Sequence, residues 1–114
     1  MNTVRLEVRS FDDVLDDVAK AWKTGKATEP RISFDNVEEL WKVLSPKKMD
    51  ILKAMTGAGP LGIREVSRKL GRDVSAVHRD LQALIVAGIV DRTDDGKVVF
   101  PYDEIHVDFT LSVA

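Results

Sequence analysis

The 114 residues include no cysteine. That excludes a disulfide framework, thiol catalysis and any cysteine-built zinc site, and it fits a reducing compartment. Long apolar runs are missing as well. No stretch approaches the roughly 18 residues a membrane-spanning helix needs, and no signal-peptide pattern opens the sequence. Four prolines and seven glycines are too few for a collagen-like or low-complexity chain. The rest is ordinary for a globular protein, with 44% hydrophobic and 32% charged residues. The expectation is a soluble, cytoplasmic protein with a single core.

Net charge is nearly absent too. Seventeen Lys/Arg against nineteen Asp/Glu leave −2, a total that suggests no nucleic acid. The total hides a partition: residues 1–45 hold seven basic and nine acidic residues, 46–90 hold eight and four, and 91–114 hold two and six. The middle is a basic island between acidic flanks.

The first segment, residues 1–43, reads as a strand–helix–strand extension. Thr3 to Arg9 alternates apolar and polar residues, the pattern of a half-buried strand. Ser10 with Asp13 then opens a helix whose stripe is Phe11, Val14, Leu15, Val18 and Trp22, ending at Gly25. Residues 26–31 read as a linker, and Ile32-Ser33-Phe34 as a second short strand. Asp35 with Glu38 reads as a capping box for a short helix burying Val37, Leu40, Trp41 and Leu44.

From residue 44 the order becomes specific. Ser45 caps and Pro46 starts a helix to about 56 that turns Met49, Leu52 and Met55 inward. A second helix follows, with Ile63, Val66 and Leu70 inside, Arg64 and Arg68 outside, and Gly71 as a left-handed stop. Asp73 caps a third helix over residues 74–87. Its Val77, Leu81 and Leu84 point one way, and Ser75, His78, Arg79 and Gln82 cluster on the opposite side. Residues 89–93 and 97–100 read as two strands joined by the turn at Asp94-Asp95-Gly96. This layout is that of an α+β winged helix-turn-helix over residues 44–102. Residues 103–114 add a strand with Ile105, Val107, Phe109 and Leu111 on one face. That strand must pair, either with Val4-Leu6-Val8 of its own chain or with a second chain.

Residues 62–71 (GIREVSRKLG), 73–84 (DVSAVHRDLQAL) and 87–90 (AGIV) resemble winged-helix transcriptional regulators of the MarR and ArsR kind. The lead-in at 44–48 (LSPKK) and the ending at 101–105 (PYDEI) are similar to a poorly characterised prokaryotic group of winged-helix regulators, some of which act as antitoxins. The resemblance implies a DNA-binding regulator with Ser75, Ala76, His78, Arg79 and Gln82 facing the groove. Two departures stand out: the Cys-based metal sensor of many ArsR-like proteins is missing, and so is a ligand-pocket signature; the wing tip Asp94-Asp95 is acidic besides.

Arg suits guanine O6/N7 and Gln suits adenine N6/N7, so Arg79 and Gln82 are candidate base readers. Otherwise they line a solvated face, with Arg79 paired to Asp80. His78 and Ser75 are candidate base or phosphate contacts, and Arg64, Arg68, Lys69 and Arg72 form a basic rim with Arg92 and Lys97 on the hairpin. Catalysis finds no support: His78 and His106 fall in different elements, and no nucleophile–base pair, phosphate loop or ligand spacing exists. The Asp12, Asp13, Asp16 and Asp17 cluster reads as a solvated acidic face, and no cofactor is expected. The function read from the sequence is therefore a non-enzymatic, sequence-specific regulator of double-stranded DNA, a dimeric repressor on a palindromic operator. An antitoxin that binds a basic toxin and regulates its own operon is the alternative, with a winged helix used only for protein contact behind it.

Overall fold

The computed structural model describes residues 2–9, 15, 16, 18–20 and 30–110. It is an α+β protein in the order β1 (Thr3–Val8), β2 (Arg31–Phe34), α1 (Val37–Val43), α2 (Pro46–Met55), α3 (Ile63–Leu70), α4 (Val74–Val86), β3 (Asp91–Arg92), β4 (Val98–Val99) and β5 (Glu104–Asp108). Leu15, Asp16 and residues 18–20 are also helical.

Three strands form a parallel sheet in the order β2-β1-β5, and β3 pairs antiparallel with β4. Parallel neighbours need long crossovers, which the residues between β1 and β2 and the four helices before β5 supply. The alternation in β1 sets the two faces. Val4 and Leu6 are fully buried, and the register sets Val4 beside Ile105 and Leu6 between Ile32 and Val107. The opposite face carries Arg5 between Arg31 and His106, then Glu7 between Ser33 and Asp108. Glu7 is only 5% exposed. Its carboxylate lies 3.2 Å from Arg9 and 3.6 Å from Arg31, and Arg5 reaches Asp108 at 3.1 Å. Burying a carboxylate without such partners would be costly.

The terminal strand of the sequence reading therefore pairs within its own chain, against β1. Asp103 and Asn2 complete the join: the Asp103 amide donates to the Asn2 carbonyl at 2.8 Å, and the Asn2 amide donates to the Asp103 carboxylate at 3.1 Å.

The helices follow their caps. Asn36 accepts the Glu39 amide at 2.9 Å and starts α1, one residue later than the Asp35–Glu38 box expected. Two overlapping cap pairs compete there, and both are chemically sound. Ser45 caps α2 with Pro46 in its first turn, and Gly71 ends α3 with φ of +63°. Asp73 caps α4 by accepting the Ala76 amide at 3.2 Å. Helix α2 packs on both α3 and α4, and α3 packs on α4. Leu61, before α3, forms an isolated antiparallel bridge to Val98 in β4, which ties the helices to the hairpin.

One apolar cluster runs through the sheet and the helices, from Val4, Leu6, Leu40 and Leu44 through Ile51, Leu52 and Met55 to Val66, Val77, Leu81 and Leu84. Two residues expected inward, Trp41 and Met49, lie outside it, as do Leu15 and Val18 of the first apolar stripe. Leu15, Val18, Trp41 and Met49 are exposed, while Ile51 is completely buried. Trp41 instead stands edge-on against Phe109, with ring centroids 5.5 Å apart. The first hairpin strand is shorter than expected, because the Ile89 and Val90 amides donate back to the Leu84 carbonyl at 3.0 and 3.3 Å and close the end of α4. The Ser10–Asp13 cap, Phe11, Val14, Trp22, Gly25, most of the linker and Leu111 lie outside the described residues.

Candidate nucleic-acid interface

The candidate interface is built on α4. Val77, Leu81 and Leu84 are fully buried, a spacing of four and three residues that fixes one side of the helix against the core. The other side is turned out: Ser75, His78 and Arg79 are exposed, and Ala76 and Gln82 are partly so. Gln82 and His78, one turn apart, share a hydrogen bond of 3.2 Å between Nε2 atoms along that side. Arg79 makes no ion pair among the described residues.

The rim divides into two kinds of cation. On α3, Arg64 and Arg68 are exposed and make no ion pair among the described residues. Lys69 leans back to the Ala54 carbonyl at 3.5 Å. Arg72 is engaged internally: its Nη2 donates to Asp80 at 2.8 Å, with both side chains about 20% exposed, and its Nη1 is buried without a hydrogen-bond partner. The Ser67 hydroxyl donates to the Arg72 carbonyl and locks the same turn. Arg72 thus braces the turn between α3 and α4 rather than extending the rim, and Asp80 pairs with Arg72, not with Arg79. Spacing along a helix could not reveal this pair, because Arg72 lies in the turn before the cap of α4, outside its helical periodicity.

The hairpin brings Arg92 and Lys97 out to solvent. Its turn is organised by Thr93. The Thr93 amide donates to the Lys97 carbonyl at 2.9 Å, the Lys97 amide donates to the Thr93 hydroxyl at 3.0 Å, and that hydroxyl donates to Asp95. The Thr93 hydrogen bond holds the Asp95 carboxyl below its usual range, and the charge of Lys97 adds to this. The carboxylate form of Asp95 is thereby favoured. Among the described residues no group of three or more His, Asp or Glu is arranged to hold a metal ion, and no helix is long and apolar enough to cross a membrane.

No curated protein matches the chain. Residues 43–107, more than half the chain, match the HVO_A0114 family; the matched stretch contains α2, α3, α4, the hairpin and most of β5. Every residue of the candidate interface falls inside it, and the chain belongs to the HVO_A0114 family.

Proposed function

We propose that this protein is a sequence-specific DNA-binding transcriptional regulator, working in the cytoplasm without cofactor or enzymatic activity. In this reading α3, the turn at residues 71–73 and α4 form a helix-turn-helix, and β3–β4 with the Leu61 bridge form its wing. The observation that carries the reading is the split of α4: three aliphatic residues fully buried on one side, and Ser75, His78, Arg79 and Gln82 turned away from the core on the other.

A major groove about 12 Å wide admits one helix, so a reading helix must stand on a small bundle with its polar side outward. Arg79 and Gln82 carry the chemistry for base edges. Arg64 and Arg68 suit phosphates, and Ser75 near the helix start can join them. Arg92 and Lys97 supply the wing's contacts while Asp94 and Asp95 keep its tip out of a narrow minor groove. Two copies on a palindrome would set their reading helices about 34–36 Å apart.

The test is fluorescence anisotropy of the purified chain with its own upstream DNA across a salt series. Sequence-dependent binding whose logarithm falls linearly with log salt, by about 0.9 for each phosphate contact, is expected. Absence of any salt-sensitive, sequence-dependent binding sinks the proposal.

A further inference from the structure

In the sheet order β2-β1-β5, strand β5 is an edge, and among the described residues no strand pairs with its outer side. The Glu104 amide donates inward, to the Asn2 carbonyl at 3.2 Å. Backbone groups along a strand point alternately to its two edges, so the amides and carbonyls of Ile105 and Val107 face outward. The side chains of these same two residues lie on the sheet's apolar face. There they border a cleft of about 260 Å³ between β5 and α2, whose apolar lining includes Leu44, Met49 and Leu52. Met49 and Val107 are more than a third exposed. The cleft's rim is acidic at Asp103 and Glu104, with Lys53 opposite, and Glu104 and Asp108 stand on the strand's polar face.

We propose that the outer edge of β5 is a docking site for an extended segment of another protein, one whose apolar side chains alternate with lysine or arginine, added as a fourth strand to the sheet. Main-chain hydrogen bonds to Ile105 and Val107 give such a segment its hold, and alternate side chains give it specificity. Its apolar side chains enter the cleft beside Met49 and Val107, and its basic ones meet Glu104 on the polar face, with Asp108 already paired to Arg5 at 3.1 Å. A second copy of the chain fits less well. The antiparallel register that pairs all five residues of two β5 strands sets Glu104 across from Asp108 at both ends, acid beside acid. The inference is independent of whether α4 reads DNA.

The experiment uses a short fluorescein-labelled peptide alternating lysine and valine, capped at both ends, titrated into the full chain. A peptide of identical composition without alternation and a glutamate–valine peptide serve as comparisons. Preferential binding of the alternating basic peptide is expected, with hydrogen exchange at the Ile105 and Val107 amides slowed on binding. Glu104→Lys should weaken binding about ten-fold by reversing one rim charge. Val107→Pro, which removes an outward donor without touching those that face β1, should abolish it. Circular dichroism of both variants establishes that they are folded. Equal binding of the scrambled peptide, or no response to Glu104→Lys in the folded variant, overturns the proposal. So does slow exchange at Ile105 and Val107 in the unliganded chain, whether it is monomeric or dimeric, because another strand then already covers the edge.

Discussion

Two arginines that look alike in the sequence have different surroundings and should fail in different ways. Arg79 is exposed on α4 and makes no ion pair among the described residues, whereas Arg72 holds Asp80 at 2.8 Å behind the turn. Under the DNA-binding proposal, Arg79→Ala lowers affinity for the cognate duplex by about 1–3 kcal/mol and relaxes sequence preference, with thermal stability nearly unchanged. Anisotropy on cognate and random duplexes checks this; an equal loss on both would make Arg79 a phosphate contact. Arg72→Ala should instead lower folding stability by about 1–2 kcal/mol, because it leaves a largely buried Asp80 carboxylate without its partner. Urea titration reads the change, and an unmoved midpoint would mean that water replaces the guanidinium at no cost. Asp95 behaves in a third way. Its carboxyl is held below the usual range by the Thr93 hydroxyl, so the carboxylate form is favoured in the folded hairpin. The order it lends the turn is complete above the unfolded-state pKa and is lost as pH falls through the lower folded value. Near neutrality the charge is constant. Asp95→Asn keeps an acceptor for Thr93 and removes the charge, so DNA affinity at pH 7 should rise; an unchanged salt titration would mean that the wing tip stays away from phosphate.

Element boundaries depend on local chemistry, which is why α2, α3 and α4 were legible almost to the residue. Ser45, Pro46, Gly71 and Asp73 occupy the cap positions expected of them. Gly71 is the sharpest case, since φ of +63° is a conformation that side chains resist while the space around it is open. Gly71→Ala should therefore cost about 1 kcal/mol through backbone strain alone, and Gly71→Asn less, because Asn tolerates the left-handed region. Denaturant midpoints of the two variants check the order; if Ala is tolerated as well as Gly, the turn has another way to close. What local chemistry leaves open is how an element is covered. The apolar stripe of α2 pointed to Met49, Leu52 and Met55, yet Ile51 is completely buried and Met49 is 37% exposed. The reason is that α2 is covered by both α3 and α4, so its buried arc is wider than a single stripe and rotated from it. Trp41 likewise sits on the expected side of α1 but finds Phe109, an aromatic from far along the chain, rather than the core. The outward set on α4 was readable because its opposite side is filled by three aliphatics at regular spacing. The role of Arg72 was hidden because it stands in the turn before α4, where helical spacing assigns it no neighbour.

At the scale of the whole molecule, β1 joins the sheet to the helical unit. The alternation of Thr3 to Arg9 announced a strand, but strand direction and neighbours are set by pairings across nearly the full length of the chain, and these leave no local mark. The consequence is thermodynamic. Val4 and Leu6 share one apolar cluster with Val77, Leu81 and Leu84 beneath the candidate reading face, so the sheet and α4 should unfold together. Leu6 is fully buried between Ile32 and Val107. Truncating it to alanine removes apolar contacts that collapse cannot recover, at a cost of about 2–5 kcal/mol. Against the roughly 5–15 kcal/mol that holds a domain folded, such a loss shows throughout the molecule. In Leu6→Ala, tryptophan fluorescence and helical circular dichroism should therefore move to lower denaturant together, as one transition. DNA affinity should be unchanged while the variant is folded, since Leu6 is buried in the sheet and belongs to no part of the candidate reading face. Two separate transitions, with helical signal surviving loss of the sheet, would mean that α2, α3 and α4 stand as a unit of their own. The apparent single core would then be two cores in contact.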